Sequence, residues 1–319
     1  KTPARVLRGA PRVGEHTEEV LSEKRGKQEI STGTAASSGC PLDGVTILDL
    51  STIIAGPLGI SMLADLGARV IKIEAYEGDP YRFLLPEGTM ALKTNAGKES
   101  ISINLKTPEG QAILHELVAN ADVLAHNFRA GVPEKLGLGY EQLRAIKPDL
   151  IWAVVNGYGP NGPSAKRPAT HAVIGAATGG VAYQAGEALS RDCQSLEEIR
   201  EAARHIMCAN EANPDPNTSV VVASSILLAL FERARTGEGQ RVNINMQVAN
   251  AWANADDFLD YAGKPERAPI DPDLLGLGPC YRLYPTREGS VFLAATTDAE
   301  FERFCRAAER PELASDSRF

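Results

Sequence analysis

The chain has 319 residues, enough for one large domain or two ordinary ones at roughly 100–200 residues each. With 43% hydrophobic and 23% charged residues it is a folding composition, which excludes a disordered or collagen-like chain. A net charge of −8 argues against a general binder of nucleic acid or anionic membrane, because an acidic surface gains no counterion release. Apolar runs break well before 18 residues, so no transmembrane helix is expected, and the polar N-terminus lacks the apolar segment of a signal peptide. Five widely spaced cysteines (Cys40, Cys193, Cys208, Cys280, Cys305) form no C-x-x-C pair. They read as reduced thiols of a cytoplasmic protein rather than a disulfide frame or a metal site.

Lys1 to Lys27 is basic and poor in apolar residues, and Gln28 to Gly39 is a linker of small and polar residues. The chain begins with Lys and stops just after a helix, so it reads as a piece of a longer polypeptide. From Leu42 a strand–helix alternation sets in. Val45–Leu50 is β-branched, apolar and bounded by Asp43-Gly44, a buried strand. Pro57 opens a helix to Leu66 with Gly67 as its stop, and Arg69–Glu74 is the next strand. Helix Glu109–Ala119, strand Asp122–His126, a short helix near Tyr140–Ile146 and strand Asp149–Val155 follow. Strands alternating with helices predict a parallel sheet covered on both faces. Ser195–Ala209 is a helix with a capping box, Ser195 and Glu198, and Pro216–Arg235 is the longest helix, stopped by Thr236-Gly237. Arg241–Met246 reads as a strand and Gln247–Tyr261 as a helix. A hairpin, Cys280–Tyr284 and Ser290–Ala295, and the helix Ala299–Ala308 open a smaller α+β domain.

The first strand–turn–helix carries STIIAGPLG and no G-x-G-x-x-G, which argues against a dinucleotide site, and neither a Walker A nor a G-x-S-x-G motif occurs. His115 sits within an apolar helix face and reads as structural, and His205 with Cys208 supplies too few ligands for zinc. Asp215 supports two readings. It precedes Pro216 and a long helix, the pattern of an Asp N-cap with Pro at the first helical position, and the residues alone favour that cap. A carboxylate in the positive potential of a helix N-terminus is also a nucleophile that needs no base. Asn127-Phe128-Arg129 leaves a strand's carboxyl end, where open α/β sheets bind ligands. Lys72, Lys98, Arg129 and Lys135 are equally readable as phosphate contacts or as solvated surface charges.

At these residues the chain resembles the family III CoA-transferases, the group of formyl-CoA and carnitine CoA-transferases. Five ordered segments between Leu42 and Ala308 carry the resemblance: LDGVTILDLSTIIAGPLG, LADLGARVIKIE, NAGKESISINLKTPEG, ADVLAHNFRAGVPEKLGLGYEQL and RTGEGQRVNINM. The resemblance implies an α/β fold, a Rossmann-like parallel sheet in a large CoA-binding domain plus the start of a small α+β domain. It places the family's nucleophilic Asp on Asp215, as both cap and nucleophile. It places CoA contacts on Thr52, Ile53, Ile54 and Ala55, on Ile103, on Asn127 and Phe128, and on the basic Lys135. Coenzyme A or acyl-CoA is then a substrate, with no tightly bound cofactor and no metal. The expected partners are an acyl-CoA and a carboxylic acid acceptor, with no nucleic acid and no membrane. The chain departs from the family pattern at Ile54, where Gln is frequent, and at Ala75, where a basic residue often stands. The glycine-rich active-site loop is reduced to Gly276-Leu277-Gly278.

The same family includes α-methylacyl-CoA racemases, whose catalytic His falls on Thr170, with a histidine one residue later at His171. Thr170 is no general base, which favours the transferase, and His171 keeps proton transfer as the alternative. Residues 1–25 resemble the family's C-terminal tail. A tail, a linker at 26–40, a large domain at 41–262 and a connection with an incomplete small domain at 263–319 imply two fused repeats. The family's interlocked homodimer would then form within one polypeptide as a pseudo-dimer. A non-catalytic scaffold repeat, suggested by Ile54 and Ala75, is the alternative of a different class.

Overall fold

The structure, a computed structural model, describes residues 8–23, 39–84, 88–89, 91–180, 192–208, 214–266, 271, 273 and 275–317. By contact the chain falls into two compact units, the first drawn from 1–178 and 211–258 and the second from 179–210 and 259–319.

The first unit is built on a six-stranded parallel sheet in the order β3-β2-β1-β4-β5-β6. Its strands are β1 (Thr46–Asp49), β2 (Arg69–Glu74), β3 (Lys98–Ser102), β4 (Val123–His126), β5 (Ile151–Asn156) and β6 (Arg241–Asn245). Successive side chains point to opposite faces, so Ile47, Val70, Val123 and Ile151 join one core cluster while Leu48, Ile71, Leu124 and Trp152 join the other. The first face is covered by α2 (Ala55–Asp65), α7 (His171–Ala177) and the long helix α9 (Pro214–Thr236). Residues of α1 (Thr17–Ser22), α4 (Pro108–Val118) and α6 (Tyr140–Ile146) cover the second. Two short helices, α3 (Ala91–Asn95) and α5 (Val132–Lys135), lie between them in the chain, and α8 (Leu196–Cys208) comes before α9. The strand order reverses between β1 and β4, and the crevice outside their carboxyl ends is where such sheets take ligands.

Several elements depart from the sequence expectations. α2 begins at Ala55, two residues ahead of Pro57. β3, KESIS, is absent from the sequence expectations, which leave Lys98 open between a phosphate contact and a solvated surface charge. In the fold Lys98 is fully buried, its Nζ 2.7 Å from Asp49 Oδ2 and donating to the Pro57 carbonyl at 2.8 Å. The predicted helix 247–261 divides into α10 (Met246–Ala253) and α11 (Ala255–Phe258). By length and apolar composition α9 suffices to cross a membrane, contrary to expectation, but one face of it (Val222, Ile226, Ala229) lies in the core of this unit.

Residues 8–23 belong to the first unit and run along the outer edge of β3. His16 N–H donates to the Ser100 carbonyl at 2.9 Å, and Ser100 N–H donates to His16 Nδ1 at 3.2 Å. Val20 is buried in the second core cluster, and Glu23 pairs with Arg69. The segment thereby covers a sheet edge that would otherwise expose unpaired backbone groups. The predicted linker lies mostly outside the described residues.

The second unit holds an antiparallel sheet of β7 (Gly276–Gly278), β8 (Tyr281–Pro285) and β9 (Ser290–Ala294), together with α8 (Leu196–Cys208) and α12 (Asp298–Ala307). The β8–β9 hairpin and the Thr297–Glu300 capping box of α12 match the sequence reading. Helix α8, read from sequence within 41–262, falls in this unit. Gly276-Leu277-Gly278 is a strand here rather than a loop. A Cβ on Gly276 would lie 2.2 Å from both the Arg282 Cβ and the Tyr281 carbonyl, so close pairing to β8 is what requires this glycine.

Candidate active site

Asp215 lies in the first turn of α9, which begins at Pro214, one residue before it. The expected cap arrangement, with Asp215 outside the helix and Pro216 first, is therefore corrected: Asp215 is the second residue of the helix, within its first turn, rather than the cap ahead of it. Asp215 is 6% exposed, and its Oδ2 is 3.2 Å from Nδ1 of His171, the first residue of α7. Burial raises the pKa of Asp215 above the ordinary carboxylate range, and the charge and hydrogen bond of His171 offset part of that rise. Thr170 precedes α7, so the histidine that reaches the carboxylate is His171.

The loop after β1 meets this helix directly. Ser219, one turn beyond Asp215, donates to the carbonyl of Ala55 at 2.8 Å and shares its proton with the carbonyl of Asp215 at 2.9 Å. Close approach of α2 to α9 depends on Gly59, where a Cβ would sit 2.6 Å from the Ser219 carbonyl and 2.7 Å from Val222. Asn250 of α10 donates to the Pro214 carbonyl at 3.2 Å and accepts from the Asn217 side chain at 3.0 Å, bracing the same helix start.

The loop itself is clamped from several sides. Asn127, at the end of β4, accepts from Thr52 N–H at 3.0 Å and donates to the Thr52 carbonyl at 2.8 Å. Ile53 has φ +72°, a left-handed conformation that costs a β-branched residue about 1–3 kcal/mol. Its N–H donates to both carboxylate oxygens of Asp79, at 3.1 and 3.2 Å. Ile53 is exposed, Thr52 and Ile54 are half-buried, and Ala55 is buried at the start of α2. The loops after β1 and β4 thus join across the switch point of the sheet.

The remaining residues singled out in the sequence are more dispersed. Ile103 is buried in the second core cluster, with its N–H on the Glu74 carbonyl. Phe128 is half-buried and stacks on His126, ring centroids 5.5 Å apart. Lys135 ends α5 and is exposed, as is Arg129. The four basic residues do not form one phosphate site. Lys72 and Lys98 are buried in ion pairs with Asp79 and Asp49, which leaves neither for a ligand. Burial pushes the Lys98 ammonium down to about 8 despite the Asp49 carboxylate beside it. His115 bonds the Gly137 carbonyl through Nε2, a structural role, and the side chains of His205 and Cys208 lie outside the described residues. No group of three or more His, Cys, Asp or Glu side chains placed to hold a metal occurs among the described residues.

Sequence reasoning missed Asp79, Tyr81 and Ser219. Tyr81 is buried, and its pKa is raised by burial and by the charges of Asp215 and Asp79. The local signal was Asp79-Pro80, a cap-and-first-turn pair that the structure uses to start a single 3-10 turn.

Known proteins share this arrangement of sheet and helices. The family described as CoA-transferase family III matches residues 42–319. A mouse succinyl-CoA:glutarate CoA-transferase is 32% identical over 288 residues, covering 88% of this chain and 62% of that protein. The acetyl-CoA:oxalate CoA-transferase of Acetobacter aceti is 32% identical over 305 residues, covering 90% of this chain and 71% of that protein. The chain therefore spans about two thirds of the length of these relatives. Among solved structures, a CAIB/BAIF family protein from Brucella suis superposes with a TM-score of 0.69 at 32% identity, covering 88% of this chain and 72% of the other. With a match from residue 42 to the last residue and a shared fold, the chain belongs to CoA-transferase family III.

Proposed function

We propose that this protein transfers coenzyme A from an acyl-CoA thioester to a free carboxylic acid, with Asp215 as covalent nucleophile. The observation that carries the reading is the placement of Asp215. It is a buried carboxylate in the first turn of a helix, paired with His171 and tied through Ser219 to the loop at the sheet's switch point. Named activities of the relatives support it, since each moves CoA between carboxylic acids.

In this reading a carboxylate oxygen of Asp215 attacks the thioester carbonyl of the donor. The C–S bond breaks, leaving a mixed anhydride and CoA thiolate. The thiolate attacks the aspartyl carbonyl, releasing the donor acid and forming an aspartyl-CoA thioester. The acceptor carboxylate attacks that thioester, expelling thiolate and giving a second anhydride. Thiolate attack on the acceptor's carbonyl then releases the new acyl-CoA and regenerates Asp215. Proton and water balance are zero across the cycle. The N-terminal end of α9 supplies positive potential where oxyanions develop.

The contacts at Thr52, Ile53, Ile54, Ala55, Ile103, Asn127, Phe128 and Lys135 are proposed for CoA on the family resemblance, with Asn127 also holding the loop together. Pairing with a second copy, or with a second repeat in one polypeptide, belongs to the same proposal. Exposed Leu228, Phe231 and Trp252 on the first unit support it as apolar area for a partner to cover.

The test is a transfer assay with a panel of acyl-CoA donors and carboxylic acids. Turnover by the parent protein, and its loss in Asp215→Ala with CoA binding retained, is the expected result. Undiminished turnover in Asp215→Ala overturns the role of Asp215.

A second reading is favoured by one observation, the 3.2 Å contact between His171 and Asp215. A His–Asp pair can serve as the acid and base for proton transfer at the α-carbon of a 2-methylacyl-CoA. Incorporation of deuterium at that carbon in heavy water, with no CoA transfer, would establish it.

A further inference from the structure

Ile53 is a β-branched residue in a conformation that L-residues persist in only where the surroundings over-determine it. What over-determines it is a buried carboxylate. The Asp79 side chain is 0% exposed and receives Ile53 N–H on both oxygens. Its Oδ1 also accepts from Tyr81 N–H at 3.0 Å, and its Oδ2 lies 3.1 Å from the Lys72 ammonium. Lys72 in turn donates to the carbonyl of Ser51 at 2.7 Å. One buried ion pair therefore grips the chain on both sides of Thr52. The backbone of Asp79 is pinned as well, its N–H donating to Glu74 Oε1 at 2.9 Å, and Glu74 is held by Arg82.

The geometry points to Asp79 as a positioning residue for the acyl-CoA loop: its carboxylate holds Ile53 left-handed and so fixes where Thr52–Ala55 presents itself to the substrate. The inference rests on the transferase reading for its substrate. It adds a residue that touches neither the thioester nor Asp215 and acts through the loop. Without the carboxylate, Ile53 relaxes to a negative φ, and residues 52–54 swing away from the end of α9 to which Ser219 holds Ala55.

The experiment compares the full chain with Asp79→Asn, Ile53→Gly and the double variant. CoA binding is measured by calorimetry and transfer by steady-state kinetics. Asp79→Asn is expected to raise the Kd for CoA and the KM for acyl-CoA by about 10- to 100-fold while kcat changes by less than about 3-fold. In an Ile53→Gly background, where the side chain proposed to touch CoA is missing from both proteins, Asp79→Asn should change the two constants by less than about 3-fold, because glycine takes a positive φ at no steric cost. A merely structural Asp79 would lower thermal stability without this split, and its loss would weaken binding equally in both backgrounds. The proposal is overturned if folded Asp79→Asn binds CoA as the parent does, or if Asp79→Asn weakens CoA binding as much in the Ile53→Gly background as in the parent.

Should Asp79→Asn fail to fold, Ile53→Gly alone decides. A Tm that rises or stays within about 4 °C of the parent supports a strained Ile53 held by Asp79, and any larger fall overturns it. Calorimetry with CoA needs no turnover, which keeps the two readings separable. Asp79-dependent CoA binding without transfer sinks the transferase and leaves the clamp, whereas transfer with Asp79-independent binding does the reverse.

Discussion

The hydroxyl of Ser219 donates to the main-chain carbonyl of Ala55 at 2.8 Å, fastening the loop after β1 to the helix whose first turn carries the candidate nucleophile. Asp215 is one turn away on the same helix, and its own carbonyl accepts from the same hydroxyl at 2.9 Å. A hydroxyl has one proton to give, so the two acceptors share it. Loop and nucleophile are thus registered against each other by one side chain, and Ser219 is fully buried.

Ser219→Ala leaves the Ala55 carbonyl buried without that donor, at a cost of about 1–3 kcal/mol. Misregistration of loop and nucleophile is expected to lower kcat/KM by about 10-fold, because catalysis depends on near-attack geometry. Steady-state kinetics beside a urea melt will separate lost activity from lost stability.

The pH dependence follows from burial of Asp215. Attack requires the ionised carboxylate, and burial raises its pKa, so the acid limb of kcat/KM should lie above the ordinary carboxylate range. The charge and hydrogen bond of His171 oppose that rise. His171→Gln removes them, and the limb should move further up in pH; an unmoved limb contradicts the pairing. The sign for stability is the opposite of a paired surface carboxylate. With its folded pKa raised, Asp215 binds a proton more tightly in the native state, so stability falls as pH rises from the ordinary carboxylate pKa towards the raised one. Asp215→Asn should therefore withstand more urea than the parent at neutral pH.

Gly59→Ala tests the approach of α2 to α9. Its Cβ would meet the backbone carbonyl of Ser219 at 2.6 Å and the Val222 Cβ at 2.7 Å, neither of which is a flexible side-chain end. A loss of about 1–3 kcal/mol is expected, checked by denaturant unfolding, with a concurrent fall in kcat because Ser219 is displaced.

Asn127 carries a two-bond clamp on Thr52 that its isostere halves. Asp at this position accepts from Thr52 N–H but cannot donate to the Thr52 carbonyl, whereas Ala does neither. The KM for acyl-CoA should rise in the order Asn, Asp, Ala, reaching about 10-fold or more for Ala. Equal values for all three would show that the clamp does not matter to binding.

Much of the large unit was legible because its signals are local. Val45–Leu50 and Arg69–Glu74 are apolar runs bounded by turns, and they form β1 and β2. The long helix was legible from its length and its Thr236-Gly237 stop, and the identity of Asp215 came from family resemblance rather than from spacing. What escaped were contacts between distant residues. Nothing near Lys98 announces that Asp49 neutralises it inside the core, so the residues alone leave KESIS without a strand assignment. Nothing near Asp79 in the sequence announces that its carboxylate accepts from Ile53 N–H, 26 residues away. His171 was noticed for its offset from a family motif, but its 3.2 Å contact with Asp215 is set by how α7 and α9 pack.

The covalent role of Asp215 is tested most directly by trapping the intermediate. The protein is incubated with an acyl-CoA it turns over, quenched with hydroxylamine, digested and mapped by mass spectrometry. The account predicts a hydroxamate on the peptide bearing Asp215 and on no other carboxylate, absent when acyl-CoA is omitted. Turnover with Asp215 unmodified, or a hydroxamate on a different residue, would contradict it.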